Sequence, residues 1–153
     1  MKAKAIALAI SLVFVSVALG YQNNPQLGTW KLNEAKSKFT GKARNHTVVY
    51  ETAGDQIKVT VDGVDENGAP VHNEWTGKFD GKAYAVTGDP TSDTRSYRMI
   101  NKNTLSLTGK KGGKVTLTGR IVVSRDGKTR TVTTSTTNAA GKRVTNVAVY
   151  DKQ

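Results

Sequence analysis

Short segments in which apolar and polar residues alternate run through most of this 153-residue chain. Ile57, Val59 and Val61 alternate with polar neighbours, which is the period-two pattern of a strand with one buried face. Asp-Gly-Lys turns at 80–82 and 126–128 are typical of the tight connections between such segments. Strands joined by short turns are antiparallel neighbours, because a parallel return needs a long crossover. The pattern therefore predicts an all-β antiparallel meander.

The alternation predicts about ten strands and no sustained helix. The expected strands lie near residues 27–32, 46–52, 56–64, 71–79, 83–87, 94–100, 104–110, 114–123, 129–137 and 143–151. A single helical turn is expected at 33–36, where Asn33 can act as the cap. A meander without a covering helix has two exposed edges, and closure removes both while burying one whole face. We therefore expect one up-and-down barrel of about 8–10 strands.

The first twenty residues have the pattern of a secretory signal peptide. A basic start precedes the apolar run 5–17, and Ala18-Leu19-Gly20 offers a small-x-small cleavage site. Cleavage there would separate a signal peptide, 1–20, from a single domain, 21–153. The apolar run is shorter than the roughly 20 residues that span a bilayer, so we expect no membrane span. The predicted location is the periplasm or the outside of the cell.

Composition narrows the candidate functions further. The chain has no cysteine, so packing rather than disulfide bonds must hold the domain. Its formal net charge of +11 favours anionic partners, although the same charge also keeps an exported β-protein soluble. Aromatic residues make up only 7% of the chain and do not interleave with a basic stripe. The sequence therefore predicts no specific nucleic-acid binding.

The first predicted strand carries the sequence Leu27-Gly28-Thr29-Trp30-Lys31-Leu32, a Gly-x-Trp followed by an antiparallel meander. This resembles the bacterial lipocalin-like proteins of the calycin group. The resemblance implies that Gly28 and Trp30 lie at a closed end of the barrel, where a basic side chain covers the tryptophan. Because the first and last strands of a closed meander are neighbours, Lys152 is better placed than Arg143 for that role. The resemblance also implies an open end that admits a small ligand.

No arrangement of residues predicts catalysis. The chain has two histidines, His46 and His72, whereas a catalytic zinc site generally uses three protein ligands. His72 is expected on the solvent face with Glu74, and His46 is expected to point inward as a packed histidine. The sequence contains no phosphate-binding glycine loop and no Gly-x-Ser-x-Gly. We expect no enzymatic activity, no cofactor and no metal site.

Polar or aromatic side chains on inward faces are the candidates for ligand contacts, because a pocket is mostly apolar with a few placed hydrogen-bonding groups. These candidates are Asn73, Trp75, Tyr97, Arg98 and Asn146. Asn73 is the clearest, since it lies between Val71 and Trp75 on the face expected to be buried. A structural hydrogen bond by Asn73, and ordinary core packing by the aromatic residues, are the alternatives. Gly77, Ala83 and Ala85 are expected to point inward and to leave space.

Alternate turns of an up-and-down barrel emerge at the same end, so the turns near 41–45, 65–70, 88–93, 111–113 and 138–142 should surround the mouth. Several carry basic residues, namely Lys42, Arg44, Lys110, Lys111, Lys114, Lys142 and Arg143. We interpret these as a basic rim that draws an anionic amphiphile toward the cavity. A merely solvated rim is the alternative.

The function predicted from the sequence is the non-enzymatic binding of a small hydrophobic or anionic amphipathic ligand by an exported lipocalin-like barrel. The alternative is a structural or interaction protein with a filled barrel, whose basic surface contacts anionic cell-envelope polymers. A small barrel can be packed solid or can hold one ligand, so the interior decides between the two.

Overall fold

The computed structural model describes residues 23–138 and 140–153. The predicted signal segment 1–20 lies outside the described residues. None of the helices in the described part of the chain is both long and apolar enough to span a bilayer.

The described chain forms a closed, ten-stranded antiparallel barrel in which each strand pairs with its neighbours in sequence. The strands are β1 Gly28–Leu32, β2 Arg44–Ala53, β3 Gln56–Val64, β4 Pro70–Gly77, β5 Tyr84–Thr87, β6 Thr94–Asn101, β7 Thr104–Lys111, β8 Lys114–Val123, β9 Thr129–Thr137 and β10 Arg143–Lys152. Pairing of β1 with β10, with Trp30 opposite Lys152, closes the barrel. The predicted fold class is confirmed, and every predicted strand overlaps an observed one.

The single helix in residues 23–138 and 140–153 is the 3₁₀ turn Glu34–Lys36 between β1 and β2, where a helical turn is expected from the sequence. The Asn33 side chain accepts a hydrogen bond from the backbone N–H of Lys36, as a helix cap does. Backbone hydrogen bonds between Lys38 and Val147 fasten the following segment to β10.

Strand direction divides the barrel into two ends. The mouth carries the connections 33–43, 65–69, 88–93, 112–113 and 138–142, and the closed end carries the other turns with both ends of the described chain. The inward side chains of the closed half pack into an apolar core. Its largest members are Trp30, Tyr50, Trp75, Tyr97 and Tyr150, none of them more than 3% exposed. Trp75 and Tyr97 meet edge to face with ring centroids 4.7 Å apart, a favourable aromatic geometry.

Three register shifts interrupt the described ladders, and the two at the mouth end, in β2 and β8, are β-bulges that change which side chains point inward. An extra residue in β2 shifts the register between Asn45 and Thr47, so His46 is exposed rather than inward as predicted. A second shift, opposite Gly109 and Lys110, makes Thr116 the extra residue of β8. In the sequence, Val115 falls on the same side of the alternation as Leu117 and Ile121, yet it is 57% exposed. A bulge inserts one residue and thereby reverses the alternation on one side of it.

The expectation that small inward residues leave space is also wrong. Ala83 and Ala85 are exposed, because Val86 is the buried residue of β5. Gly77 is buried, but a Cβ there would lie 2.6 Å from the Tyr84 ring and 2.7 Å from Trp75. The room that Gly77 provides is occupied by aromatic rings.

Candidate ligand-binding cup

A cavity of about 630 Å³ opens at the mouth, and we refer to it as the cup. Side chains from β2, β3, β4, β6, β8, β9 and β10 and from the mouth loops form its wall. The lining residues are Ala43, Asn45, Val64, Asp65, Glu66, Asn67, Val71, Asn73, Asp89, Pro90, Thr91, Arg95, Thr116, Leu117, Thr136, Thr137 and Asn146. Its size falls within the usual range for small-molecule sites. The barrel is thus filled in its closed half and open in its mouth half.

Polar residues form the base of the cup directly above the core. Asn73, Arg95 and Asn146 each lie two positions nearer the mouth than a buried residue of the same strand face, respectively Trp75, Tyr97 and Ala148. Asn73 and Arg95 are only 5% and 7% exposed. The inward face of each of these strands thus carries apolar side chains in the core and a polar side chain just above the core. These polar side chains form the floor of the cup.

Arg95 is the centre of this floor. Its Nη2 lies 2.6 Å from Oδ2 of Asp89 in a buried ion pair, and its Nη1 donates to Oδ1 of Asn73 at 3.3 Å. Its Nε has no hydrogen-bond partner among the described residues. The indole N–H of Trp75 donates to the Arg95 carbonyl at 2.8 Å, which holds the backbone of β6 in place.

Asp89 belongs to the β5–β6 loop and reaches Arg95 from the mouth side. Burial would raise the pKa of Asp89, but hydrogen bonds from Thr91 and the positive charge of Arg95 outweigh burial and hold the pKa below its ordinary value. Gly88, with φ +74°, allows the tight turn that places the carboxylate, because a Cβ there would lie 2.1 Å from the carbonyl oxygen of His72. The carboxylate is therefore ionised and held over Arg95.

Below the floor, a chain of polar groups crosses the aromatic core. Tyr97 follows Arg95 on the inward face of β6, and its ring meets that of Tyr50 edge to face with centroids 6.4 Å apart. Nη2 of Arg130 donates a hydrogen bond to the Tyr50 hydroxyl at 2.5 Å. Arg130 is 3% exposed and lies over the Tyr50 ring, with a centroid distance of 4.6 Å. Burial raises the pKa of Tyr50 and raises that of Tyr150 to about 12, so both phenols stay neutral at physiological pH.

Arg130 forms no ion pair in the described part of the chain, and its Nε and Nη1 have no hydrogen-bond partner there. Asp89 is the only described carboxylate that pairs with either buried arginine. The described interior therefore contains two guanidinium groups and one matching carboxylate.

The sequence-predicted ligand residues separate into three groups. Asn73 and Asn146 line the cup. Asn146 also accepts hydrogen bonds from the Thr40 backbone N–H and hydroxyl, at 2.9 and 3.0 Å, so it fastens the β1–β2 connection. Trp75 and Tyr97 are core residues beneath the floor. Arg98 is exposed on the outer face, because its neighbour Tyr97 takes the inward position; the prediction for Arg98 is wrong.

The predicted basic rim lies on the mouth turns and strand ends, but none of its residues lines the cup. The members are Lys42, Arg44, Lys110, Lys111, Lys114, Lys142 and Arg143. Arg44 stacks on the Phe39 ring at 3.8 Å and lies 3.6 Å from Glu34, so it braces the β1–β2 connection. Arg143 lines a shallower cleft on the outer face. The rim charges surround the cup without forming its wall.

The three residues predicted to close the other end lie together. Nζ of Lys152 lies 5.1 Å from the centre of the Trp30 ring, which is buried and donates its indole N–H to the Gln26 carbonyl at 2.9 Å. Gly28 has φ +118°, and a Cβ at this position would lie 2.8 Å from Cε of Lys152. Glycine at 28 thus allows the lysine stem to cross close to the backbone.

The residues that the sequence analysis missed are Arg95, Asp89 and Arg130. Arg95 and Arg130 both occupy inward positions of alternating strands, Arg95 two residues before Tyr97 and Arg130 two residues before Val132. The period-two pattern could have identified them as charged residues on a buried face. Asp89 lies in a loop, where no periodicity predicts the direction of a side chain.

Several solved structures are similar to this chain, among them the following two. One is described as EF1p2_mFAP2b bound to DFHBI, with 12% identity, a TM-score of 0.48, and coverage of 84% of this chain and 94% of that chain. The other is a redesigned beta barrel, mFAP1, bound to DFHBI, with 14% identity, a TM-score of 0.45, and coverage of 84% and 95%. The sequence matches no protein-family profile and no curated protein. The barrel assignment rests on this chain's own strand pairing.

Proposed function

We propose that this protein is an exported, non-enzymatic, lipocalin-like carrier, periplasmic or secreted, that binds a small anionic amphipathic ligand in the cup. The ligand's anionic group lies at the base against Arg95, and its apolar part lies along the wall. Export is supported by the signal pattern of residues 1–20. The absence of catalysis is an inference from the sequence, which offers no nucleophile with an adjacent base.

The main support for this proposal is the buried guanidinium group of Arg95 at the floor of the cup. It is the only cationic side chain among the described residues that line the cup. A planar guanidinium in a water-poor site binds carboxylates strongly and with defined geometry. The Asp89 carboxylate occupies the position that a ligand carboxylate would take. Val64, Val71 and Leu117 supply apolar wall for the rest of the ligand.

The charge of the interior supports an anionic ligand independently. Among the described residues, Asp89 pairs with Arg95 and no carboxylate pairs with Arg130, and a buried charge without a partner is costly. An entering monoanion would balance this charge. The rim lysines add long-range attraction, which affects the association rate and its salt dependence more than the bound geometry.

The test compares two substitutions of one ion pair. Binding of dodecanoate, below its critical micelle concentration, is measured by calorimetry for the unmodified mature protein, for Arg95→Gln and for Asp89→Asn. We expect Arg95→Gln to weaken binding roughly tenfold or more, because a charged hydrogen bond to the carboxylate is lost. We expect Asp89→Asn to strengthen binding, because the competing internal carboxylate is removed.

Thermal unfolding of each variant serves as the control for folding. If Arg95 were only structural, both substitutions would weaken binding together through loss of stability. Unchanged binding by a folded Arg95→Gln variant would overturn the proposal. Absence of binding of any carboxylate by the unmodified protein would favour the alternative, an interaction protein whose exposed lysines contact anionic envelope polymers.

A further inference from the structure

The pairing of β8 with β9 ends before either strand reaches its mouth end. The ladder between these strands ends at the pair Leu117 and Thr136. On either side of this point the neighbouring ladders continue, since β8 pairs with β7 as far as Lys114 and β9 pairs with β10 as far as Thr137. Toward the mouth from this pair, residues 114–116 of β8 and Thr137 of β9 are not paired with each other. We call this unpaired end of the two strands the β8–β9 notch.

A cavity on the outer face meets the cup at this notch. It has a volume of about 410 Å³ and is bounded outside the notch by Val115, Thr118, Ser135, Gly141 and Arg143. Four residues line both this outer cleft and the cup: Thr116, Leu117, Thr136 and Thr137. The same few side chains therefore form the partition between the inner and the outer space.

The bulge in β8 accounts for the shape of the notch. Thr116 is the inserted residue, and a bulge bends its strand and increases the local twist. It also turns Val115 to the outside, where this valine is 57% exposed beside the cleft. Leu117 on the inner side and Val115 on the outer side thus supply apolar surface at both entrances of the notch.

The notch lies level with the floor of the cup. Arg95 pairs with Gly109, Gly109 with Leu117, and Leu117 with Thr136, so these residues form one row across neighbouring strands. Two strand spacings separate Arg95 from Leu117, a distance of about 10 Å. A linear molecule whose head group contacts Arg95 can therefore reach the notch without passing through the mouth.

We propose that the β8–β9 notch is the tail-binding part of the ligand site, through which the apolar tail of a linear amphiphile leaves the cup and lies in the outer cleft. This inference rests on the proposed function and narrows its ligand class to linear carboxylates with tails longer than the roughly 10 Å between Arg95 and Leu117. The tail passes over Leu117 and Val115, and the head group stays at Arg95. Arg143 lies at the outer cleft but is not required for recognition of the tail.

The test closes the notch with a disulfide bond. Thr116→Cys with Thr137→Cys places one cysteine on each side of the notch, and the chain has no other cysteine to interfere. A matched control, Val49→Cys with Thr60→Cys, joins directly opposite residues of β2 and β3 outside the cup. Opposite antiparallel residues lie within the distance that a disulfide bridges. Binding of butanoate, octanoate and dodecanoate is measured for the oxidised and reduced forms.

For the unmodified protein we expect affinity to rise from octanoate to dodecanoate by about tenfold or more, since four further methylenes become buried. In the oxidised notch variant, dodecanoate should bind no more tightly than octanoate, whereas the affinity for butanoate should be unchanged. Reduction of the disulfide should restore the tighter binding of dodecanoate. The oxidised control should behave as the unmodified protein. Thr137→Phe, which fills the notch without a crosslink, should reproduce the loss if the disulfide fails to form.

The outcomes separate the two proposals. Suppose that affinity still rises with the chain length of the carboxylate in the oxidised notch variant and in Thr137→Phe, as it does in the unmodified protein. This result would overturn the tail-binding inference and leave the carboxylate proposal intact. Failure of the unmodified protein to bind all three carboxylates would overturn both.

Discussion

At the scale of single residues, Arg95 and Arg130 are two buried arginines in different electrostatic situations. Arg95 has a carboxylate partner in Asp89, whereas Arg130 contacts the Tyr50 hydroxyl and aromatic faces and has no ion pair in the described part of the chain. Removing one partner of a buried ion pair leaves an uncompensated charge, but removing an already unpaired charge does not. The two sites therefore predict opposite responses to the same substitution.

Arg95→Met should lower the free energy of unfolding by about 3–5 kcal/mol, because the Asp89 carboxylate would lose its only ion-pair partner among the described residues. Arg130→Met should leave the free energy of unfolding unchanged or raise it by at most about 4 kcal/mol. The reason is that an unpaired buried charge is replaced by an apolar side chain. Urea unfolding of the mature domain measures both values. An equally large loss in the two variants would contradict the assignment of Arg130 as unpaired.

At the scale of secondary-structure elements, the outer face of β3 and β4 carries a row of charged side chains. His72 Nδ1 lies 2.6 Å from Oδ1 of Asp62, and His72 Nε2 lies 3.5 Å from Oε1 of Glu74. Lys58 in turn lies 3.0 Å from Glu74. The hydrogen bond with Asp62 raises the pKa of His72, because it favours the protonated ring. These groups are exposed, so the row is a pH-sensitive contact between two strands rather than a ligand site.

The raised pKa predicts how this contact depends on pH. Its stabilisation is fully present below about pH 6.5, the ordinary histidine value, and is lost as pH rises through the higher folded-state pKa. The NMR titration midpoint of His72 should therefore lie above that value, and Asp62→Asn should lower it. Glu51→Gln, on β2 outside the row, is the control. A midpoint that does not respond to Asp62→Asn would contradict the assignment.

At the scale of the whole molecule, the barrel combines a packed half and an open half. The aromatic core fills the closed half, while the strand faces become polar toward the mouth and surround the cup. The seven strands that line the cup also carry inward side chains of the packed half, which therefore holds these strands in place around the cup. The two interiors considered from the sequence, open and filled, each describe one half of the barrel.

Export is the prediction that concerns the whole chain. Expressed with residues 1–20 in a bacterium that has signal peptidase, the protein should accumulate outside the cytoplasm with Tyr21 as its first residue. Intact-mass spectrometry of the periplasmic and secreted fractions measures this, and replacement of Ala18 and Gly20 by leucine provides an uncleaved control. Recovery of the full-length chain in the cytoplasm would contradict the signal-peptide assignment.

The sequence alone determined the barrel, the approximate positions of its strands and the arrangement of turns at the two ends. These features follow from local patterns, because alternation identifies the buried face and tight turns make neighbouring strands antiparallel. It also identified Asn73 and Asn146 as inward polar residues. Only the tertiary structure decided which bulges reverse the alternation, as at His46 and Val115, since bulges depend on pairing with the partner strand.

The tertiary structure also decided the chemistry of the cup. The ion pair between Asp89 and Arg95, the polar chain to Arg130 and the β8–β9 notch each bring together residues from different strands or loops. Their meeting depends on barrel closure, strand register and loop conformation, which no local pattern in the sequence contains. The physical reason is that period-two alternation specifies the side of a strand on which a residue lies, whereas a binding site depends on which residues face it across the interior.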